Sequence, residues 1–280
     1  MATGNFTTTT SAAFIPEIWS QFTKVAVEEN LVVANLVTRD LEADISNEGD
    51  TVHVPTLSNL TAATKSAGSD VTYSNVTETT VDVTIDQHKY VAFVVEDITA
   101  IQANTNLLQK YTGKAGYALA HDIDAALLAL YSSAANSGGG ASAITDAYIR
   151  AAIEYLDVAN VPEEGRALVL HPTCKTDMLG IDKFVRMDYV NGAPTVTGQF
   201  GEIYGIPVFI TTNVVSTTAA SVTTYHNLLL HREAIALAVQ SAPRVQSDND
   251  IDKLGTKVVA DVLYGLGVLR DDFMVDISSI

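Results

Sequence analysis

The strongest restriction on the fold comes from a long extended stretch, residues 50–95, that carries strand patterns but too few apolar residues for a core of its own. Val52, Val54 and Leu57 follow a period close to two, and residues 81–86 alternate strictly between apolar and polar side chains, as in a strand with one solvated face. Residues 90–95 are continuously apolar, which is typical of a strand buried on both faces. The connection 61–70 has no apolar periodicity. Because a two-stranded hairpin is marginal alone, it must lie on another element.

A long amphipathic helix is predicted directly after this stretch, over residues 105–134. Apolar side chains recur along it at steps of three and four: Leu108, Tyr111, Ala115, Leu119, Ile123, Ala126, Leu127 and Leu130. At 1.5 Å per residue the helix would be a rod of about 45 Å. The glycine-rich segment 136–140 ends the pattern.

Beyond residue 140, helix and strand patterns alternate. The sequence predicts a helix over 145–158, with Thr145 as its N-cap, and a short helix over 174–179. Predicted strands cover 166–172, 201–210, 225–230, 234–239, 257–264 and 273–277, and the polar, acidic segment 243–256 is predicted as a loop. Near the N-terminus, a helix is predicted over 16–30, followed by an extended run to Thr38.

Composition excludes several classes of protein. With 47% hydrophobic and 18% charged residues, the chain is not disordered as a whole. A net charge of −17 excludes nucleic-acid binding through bulk charge. The single cysteine, Cys174, excludes an internal disulfide framework and a cysteine-based metal site within one chain. No apolar run is long enough for a membrane helix, and residues 1–11 lack the features of a secretory signal.

Two motifs have residue types that suggest a bound ligand. Residues 265–270 begin like a dinucleotide-binding loop, but the third glycine and a following helix are missing, so we favour a strand. Asp248, Asp250 and Asp252 alternate like calcium ligands, but the positions that need glycine and a bidentate glutamate hold other residues. We favour a solvated loop, and a weak surface ion site stays open as the alternative.

Three further motifs contain histidine. His171 and Cys174 have the residue types of a thiol nucleophile and its base, but a proline separates them, so we favour a buried thiol. His231 and Glu233 form a His-x-Glu motif without the cysteine pair of a zinc deaminase. His121 precedes an aspartate in the long helix, where a capping or surface pair is the plainer interpretation. The sequence therefore predicts no catalytic, cofactor-binding or metal site, and no enzyme.

Four short motifs stand in a fixed order in the second half of the chain. They are LVLHP at 168–172, followed by Leu179; GEIYGIPV at 201–208, followed by Thr212 and Asn213; HREAIA at 231–236; and YGLGVLR at 264–270. Together with the order of arm, hairpin, long helix and α/β segment, they resemble the major capsid proteins of tailed bacteriophages. These have the Hong Kong 97 type of fold, which herpesvirus shells and encapsulins share.

The resemblance implies a mixed α+β fold: the phage major capsid fold with N-arm, extended E-loop hairpin, long spine helix, peripheral domain and axial domain. It assigns residues 1–49 to the N-arm, 50–97 to the E-loop, 98–136 to the peripheral domain with its spine helix, and 137–238 to the axial domain. It assigns residues 239–280 to further peripheral strands, a loop at the threefold contact (243–256) and the C-terminal strand.

The implied function is that of a major capsid protein that self-assembles into pentamers and hexamers, forming an icosahedral shell around the double-stranded DNA of a tailed phage. Expected partners are further copies of the chain, a separate scaffolding protein, a portal and, as a further option, decoration proteins. No cofactor, no membrane and no sequence-specific DNA binding are expected. The expected location is the virion capsid, assembled in the host cytoplasm.

Three alternatives stay open. One is the shell of an encapsulin-like nanocompartment, which has the same fold but encloses an enzyme. Another is a surface-layer or fibre protein, which would need an export signal. The third is an enzyme with an unrecognised site, which would need a deep pocket with clustered, strongly perturbed titratable groups. Lys65 in the hairpin connection stands where some relatives form a covalent link to a neighbour's asparagine, but we favour a solvated lysine. The rod and the hairpin would make an extended subunit that gains stability by overlapping its neighbours.

Overall fold

The structure is a computed structural model that describes residues 31–41, 49–57, 60, 62–71, 73, 76, 78–96, 107–140, 142–181, 201–252 and 254–280. Within these residues the helices are α1 (Leu107–Leu128), α2 (Asp146–Val158) and α3 (Pro172–Leu179). The strands are β1 (Thr51–Leu57), β2 (Glu78–Glu96), β3 (Asn136–Gly139), β4 (Arg166–Leu170), β5 (Glu202–Ile203), β6 (Ile206–Ile210), β7 (Ser216–Ala219), β8 (Val222–His231), β9 (Ile235–Asp250), β10 (Gly255–Val268) and β11 (Met274–Ser279). The strands form two sheets. The predicted α+β class is confirmed.

The first sheet has four antiparallel strands in the order β1-β2-β10-β9. β1 pairs with residues 78–84 of β2, and β10 pairs with residues 84–96 on the other side of β2. The two pairings meet at Thr84, which lies opposite both Thr51 and Leu266. The predicted two-stranded hairpin therefore exists, and its second strand continues without a break into the sheet.

The run 90–95 was predicted as a strand buried on both faces, and this is wrong. The side chains of β2 alternate: Val91 and Phe93 pack against the core, whereas Tyr90 and Val94 are 69% and 41% exposed. One face of the strand is covered by α1, where the rings of Phe93 and Tyr111 lie 5.7 Å apart. The other face of β2 is exposed along its whole length.

The described part of the predicted long helix is confirmed. α1 continues beyond Leu128 as a 3₁₀-helix over Ala129–Ser133. The buried side chains Ala115, Leu119, Ile123 and Leu127 each lie four residues apart along one face, as the apolar period allows. This face packs on β2 and β10, so the helix supports the root of the hairpin.

The segment before the hairpin belongs to the core, and the predicted extended run to Thr38 is wrong. A 3₁₀-helix covers Val33–Asn35, and Val33, Ala34 and Val37 are at most 2% exposed. Thr38 then forms a parallel bridge to Ala236 at the start of β9. The helix predicted over 16–30 lies outside the described residues.

The second sheet has the order β3-β11-β8-β4-β6-β5, with β7 paired to the far end of β8. It contains the predicted strands around 166–172, 201–210, 225–230 and 273–277. β11, the C-terminal strand, lies between β3 and β8. Its side chains Met274, Val275 and Ile277 are fully buried in this sheet.

The prediction of a loop over 243–256 is wrong, because β9 runs to Asp250 and β10 begins at Gly255. The helical segment ends before 136–140, as predicted, and that segment contains β3, which pairs with β11. Thr145 is the residue that precedes α2, as predicted for its N-cap, but its side chain makes no capping hydrogen bond. Within the described residues a large hydrophobic core joins both sheets and includes Leu119 of α1, Leu156 of α2, Leu229 of β8 and Val262 of β10. A smaller cluster contains Val83, Ala236 and Ala238.

Candidate functional site

His171 and Cys174 have structural roles. Cys174 is fully buried in α3, and its Sγ lies 3.1 Å from Oγ of Ser279. His171 caps the same helix, since its Nδ1 accepts a hydrogen bond from the backbone N–H of Thr173 at 3.3 Å. Its ring stacks on Tyr225 with 4.0 Å between centroids, and burial lowers the pKa of His171. A neutral ring nitrogen suits this acceptor role. The interpretation of Cys174 as a buried thiol is confirmed.

His231 closes the connection between β8 and β9. Its Nε2 lies 2.9 Å from the carbonyl oxygen of Glu164, and its Nδ1 accepts the backbone N–H of Glu233 at 3.2 Å. The ring meets Phe273 edge-on at 5.5 Å. Both ring nitrogens are thus used by the backbone, and the His-x-Glu motif holds a turn.

His121 and the following aspartate, Asp122, contact different neighbours and do not form a shared site. His121 is exposed on α1 beside Tyr117. Asp122 accepts a hydrogen bond from the Tyr264 hydroxyl at 3.0 Å and lies 3.5 Å from the ammonium of Lys89. Burial, followed by the bond to Asp122, raises the pKa of Tyr264. Asp122 therefore joins the helix to the first sheet.

The aspartates at 248–252 lie at the end of the β9–β10 hairpin. The carboxylate of Asp250 lies 2.9 Å from the ammonium of Lys257 and accepts the backbone N–H of Asp252 at 3.2 Å. Within the described residues, no group of three or more acidic, histidine or cysteine side chains is placed to hold a metal ion. The cation at Asp250 is thus the chain's own lysine.

Gly265 and Gly267 lie inside β10, at its closest approach to β2. A Cβ on Gly265 would lie 2.4 Å from the carbonyl oxygen of Thr84, and one on Gly267 would lie 2.6 Å from Cγ2 of Val83. The register between β2 and β10 shifts at the same point. The motif at 265–270 therefore serves close strand packing, and the strand interpretation is confirmed through residue 268.

A shallow cavity of about 500 Å³ lies on the outer side of α2. Its walls are Arg150, Ile153, Glu154, Asp157, Val158 and Tyr204. Tyr204 has a left-handed φ of 53° and donates its hydroxyl to Asp146. Burial and then this hydrogen bond raise the pKa of Tyr204, so the phenol stays protonated at neutral pH. Its hydroxyl proton is already donated within the chain, to Asp146.

The hairpin connection presents apolar side chains to solvent. Leu60, Val71, Tyr73 and Val76 are 71%, 56%, 91% and 55% exposed. Lys65 is exposed among them, as the solvated interpretation predicts. Several exposed large apolar side chains in one short segment are typical of a surface that another chain covers.

Polar pairs link the four strands of the first sheet in succession. The Nδ1 of His53 in β1 lies 2.5 Å from Asp82 in β2, and the Nε2 of His88 in β2 lies 3.0 Å from Asp261 in β10. Arg244 in β9 donates from Nε and Nη2 to the same carboxylate, each at 2.9 Å. The guanidinium of Arg244 is the main reason that the pKa of Asp261 lies below its usual value.

A buried carboxylate that the sequence analysis missed anchors the segment before the hairpin. Asp124 in α1 is 1% exposed and accepts the backbone N–H groups of Val32, Val33 and Ala34 at 2.8, 3.2 and 3.1 Å. Burial raises the pKa of Asp124, while the three amides act in the opposite direction. The one available signal was an aspartate on the apolar face of the predicted helix.

Comparison with known proteins agrees with this geometry. A family model described as phage capsid protein matches residues 78–277. A solved structure from Mycobacterium phage Che8 is 28% identical, with a TM-score of 0.76 over 88% of this chain and 90% of that chain. A capsid structure of the cyanophage P-SCSP1u is 18% identical, with a TM-score of 0.71 over 89% of this chain and 88% of that one.

The mature capsid of bacteriophage PhiM1 is 14% identical, with a TM-score of 0.67 over 84% of this chain and 83% of that chain. No curated protein sequence matches this chain. Among the described residues, no helix has the length and apolar character to cross a membrane. Because the family model covers most of the sequence, from the first residue of β2 through α1 and into β11, this chain belongs to the phage capsid protein family.

Proposed function

We propose that this protein is the major capsid protein of a tailed phage, which assembles into pentamers and hexamers and forms an icosahedral shell around double-stranded DNA. The observation that carries the proposal is the hairpin. Its connection exposes Leu60, Val71, Tyr73 and Val76, while its base is built into the core sheet by β2. A rigidly based, apolar projection is suited to overlap a neighbouring subunit.

The proposed parts follow the fold. The segment up to residue 49 is the N-arm, residues 50–97 are the E-loop, and α1 is the spine helix. The first sheet together with α1 forms the peripheral domain. The second sheet with α2 and α3 forms the axial domain, to which β11 adds a strand.

Acidity supports the proposed cargo. A net charge of −17 opposes tight adsorption of packaged DNA to the wall, which would hinder filling and release. The cargo is therefore enclosed without sequence-specific contacts. Proposed partners besides further copies of this chain are a scaffolding protein, a portal and decoration proteins, and assembly takes place in the host cytoplasm.

Electron microscopy of the purified protein, produced alone and together with its genomic neighbours, tests the proposal. Closed icosahedral particles with nuclease-protected double-stranded DNA are expected when the neighbours are present. Particles that instead contain a folded enzyme would establish the nanocompartment alternative. A protein that stays monomeric at high concentration in both preparations would contradict any shell function.

A further inference from the structure

The exposed side of α1 carries a basic and aromatic stripe. Lys110, Lys114, Tyr117 and His121 follow one another at steps of four, three and four residues, so they lie on one line along the helix. The line is about 16 Å long. All four side chains are exposed, and Tyr111, which is 46% exposed, lies beside them. These five residues are called the helix stripe.

The helix stripe is positive in a chain that is strongly negative. The chain has 33 acidic residues, yet residues 98–121 contain neither aspartate nor glutamate. Within the described residues, neither Lys110 nor Lys114 makes an ion pair. The next acid along α1, Asp122, is already engaged by Lys89 and Tyr264. The stripe therefore offers unneutralised positive charge beside aromatic rings.

A second surface combines exposed aspartates with exposed aliphatic side chains, in a segment, 248–254, whose sequence has three aspartates and one lysine, Lys253. At the turn between β9 and β10, Ile251 and Leu254 are 81% and 65% exposed. Asp248 and Asp252 are exposed beside them, whereas Asp250 is buried. Asp248, Ile251, Asp252 and Leu254 are called the acidic tip.

Strand register places the acidic tip and the helix stripe at the same end of the molecule. Gly255, which follows the tip, lies opposite Glu96, and Val258 lies opposite Phe93. Gly255 and Val258 are three strand residues apart, which is a distance of about 10 Å along β10. The ring of Phe93, opposite Val258, lies 5.7 Å from the ring of Tyr111 in the helix stripe, measured between centroids. The tip nevertheless leaves the stripe of its own subunit uncovered, because the large side chains of both surfaces remain exposed.

We infer that the acidic tip of one subunit docks on the helix stripe of a second copy of this chain. This inference rests on the proposed function. The family resemblance already implies that residues 243–256 contact other copies, and the inference names the surface that the tip meets there. Asp248 and Asp252 would pair with Lys110 and Lys114, while the two aliphatic side chains cover the tyrosine rings. Because the two surfaces differ, the contact is heterologous, and their closeness at one end suits a small closed ring of subunits.

Charge reversal tests the contact. The variants are K110E/K114E on the stripe, D248K/D252K on the tip, and the combination of the two, which keeps the net charge of the original chain. A matched control combines K110E/K114E with E163K/E164K, because Glu163 and Glu164 are exposed in a loop of the second sheet unit. This control has the same net charge but places the new lysines elsewhere. Particle yield by electron microscopy and oligomer size by sedimentation are measured at equal concentration.

Each single-surface reversal should lower the yield of particles and oligomers at least about tenfold, since it juxtaposes like charges. The combined tip and stripe reversal should restore assembly, and the control combination should not. The unfolding midpoint of each subunit should stay unchanged, because all replaced side chains are exposed. Equal assembly by all variants, or no rescue by the combined reversal, would overturn the inference while leaving the shell function standing.

Two further outcomes separate the possibilities. Normal shells of K110E/K114E that retain less DNA would assign the helix stripe to nucleic acid and overturn the inference. Oligomers that follow the charge pattern but never close into shells would support the contact and contradict the proposed function. A complete lack of association in the unchanged protein, even when it is produced together with its genomic neighbours, would contradict both.

Discussion

Asp124 shows at the residue scale how one side chain fixes a distant segment. Its partners, the amides of residues 32–34, are about ninety positions away in sequence, so no local pattern around them indicates the 3₁₀ turn. The carboxylate serves these amides as an N-cap side chain serves a helix. The turn therefore exists because α1 supplies its acceptor.

Replacing Asp124 with alanine should lower the free energy of unfolding by roughly 3 kcal/mol or more, because three amides would lose their acceptor and a buried unpaired group costs about 1–3 kcal/mol. Asp124→Asn retains one carbonyl oxygen and should lose less. Urea unfolding at neutral pH measures both. Glu163→Ala, at an exposed position, is the control, and an equal effect of D124A and E163A would contradict the proposed anchoring.

The pKa of Asp261 determines a pH dependence. Since it lies below the ordinary 3.8 mainly because of Arg244, the stability that the pair contributes is fully present above pH 3.8 and is lost as the pH falls through the folded-state value. Asp124 and Asp276 have raised pKa values, caused chiefly by burial, so their contributions increase as the pH falls. Asp261→Asn should therefore be less stable than the original at pH 7, and the difference should shrink in strong acid. Urea midpoints across the pH range check this, and a difference independent of pH would contradict the charge-pair role.

At the scale of elements, segments with one buried face were predictable from their apolar period, and segments without a buried face were not. The period of α1 is read directly from the sequence because the helix has one buried face. The outer part of the β9–β10 hairpin was missed, since residues such as Asp248 and Asp252 are exposed and give no apolar alternation. The run 90–95 indicated two buried faces, and the structure shows one. This difference marks β2 as a candidate contact surface, which the monomer leaves open.

Gly265 provides a test of strand packing. Gly265→Ala should lower the free energy of unfolding by about 1–3 kcal/mol, because the new Cβ would overlap the backbone of β2. Gly113→Ala is the matched control: a Cβ added at this position of α1 would meet no atom within 4 Å, so the variant should gain about 1 kcal/mol from helix propensity. Thermal or urea unfolding of both variants gives the comparison. If both variants changed the free energy of unfolding by a similar amount, the close approach of β10 to β2 would not be the reason that position 265 needs a glycine.

On the scale of the whole molecule, the hairpin connection is separable from the core. Replacing residues 58–77 by a four-residue turn should leave the subunit folded, because the base of β2 stays paired with β10, and should abolish particles. Circular dichroism reports the fold and electron microscopy the particles. Lys65→Ala, an exposed change in the same connection, should assemble normally. Shells built from the shortened chain would show that the connection is dispensable.

The continuity of β2 has a mechanical consequence. Its first residues belong to the hairpin with β1 and its last to the sheet with β10, and the two ladders meet at Thr84 on opposite edges. The register between β2 and β10 shifts just beside this junction, where Ile85 and Asp86 of β2 stand against the single residue Gly265. Such a bulge bends a strand locally, so a neighbouring subunit that displaces the hairpin would bend β2 at the edge of the sheet on which α1 packs.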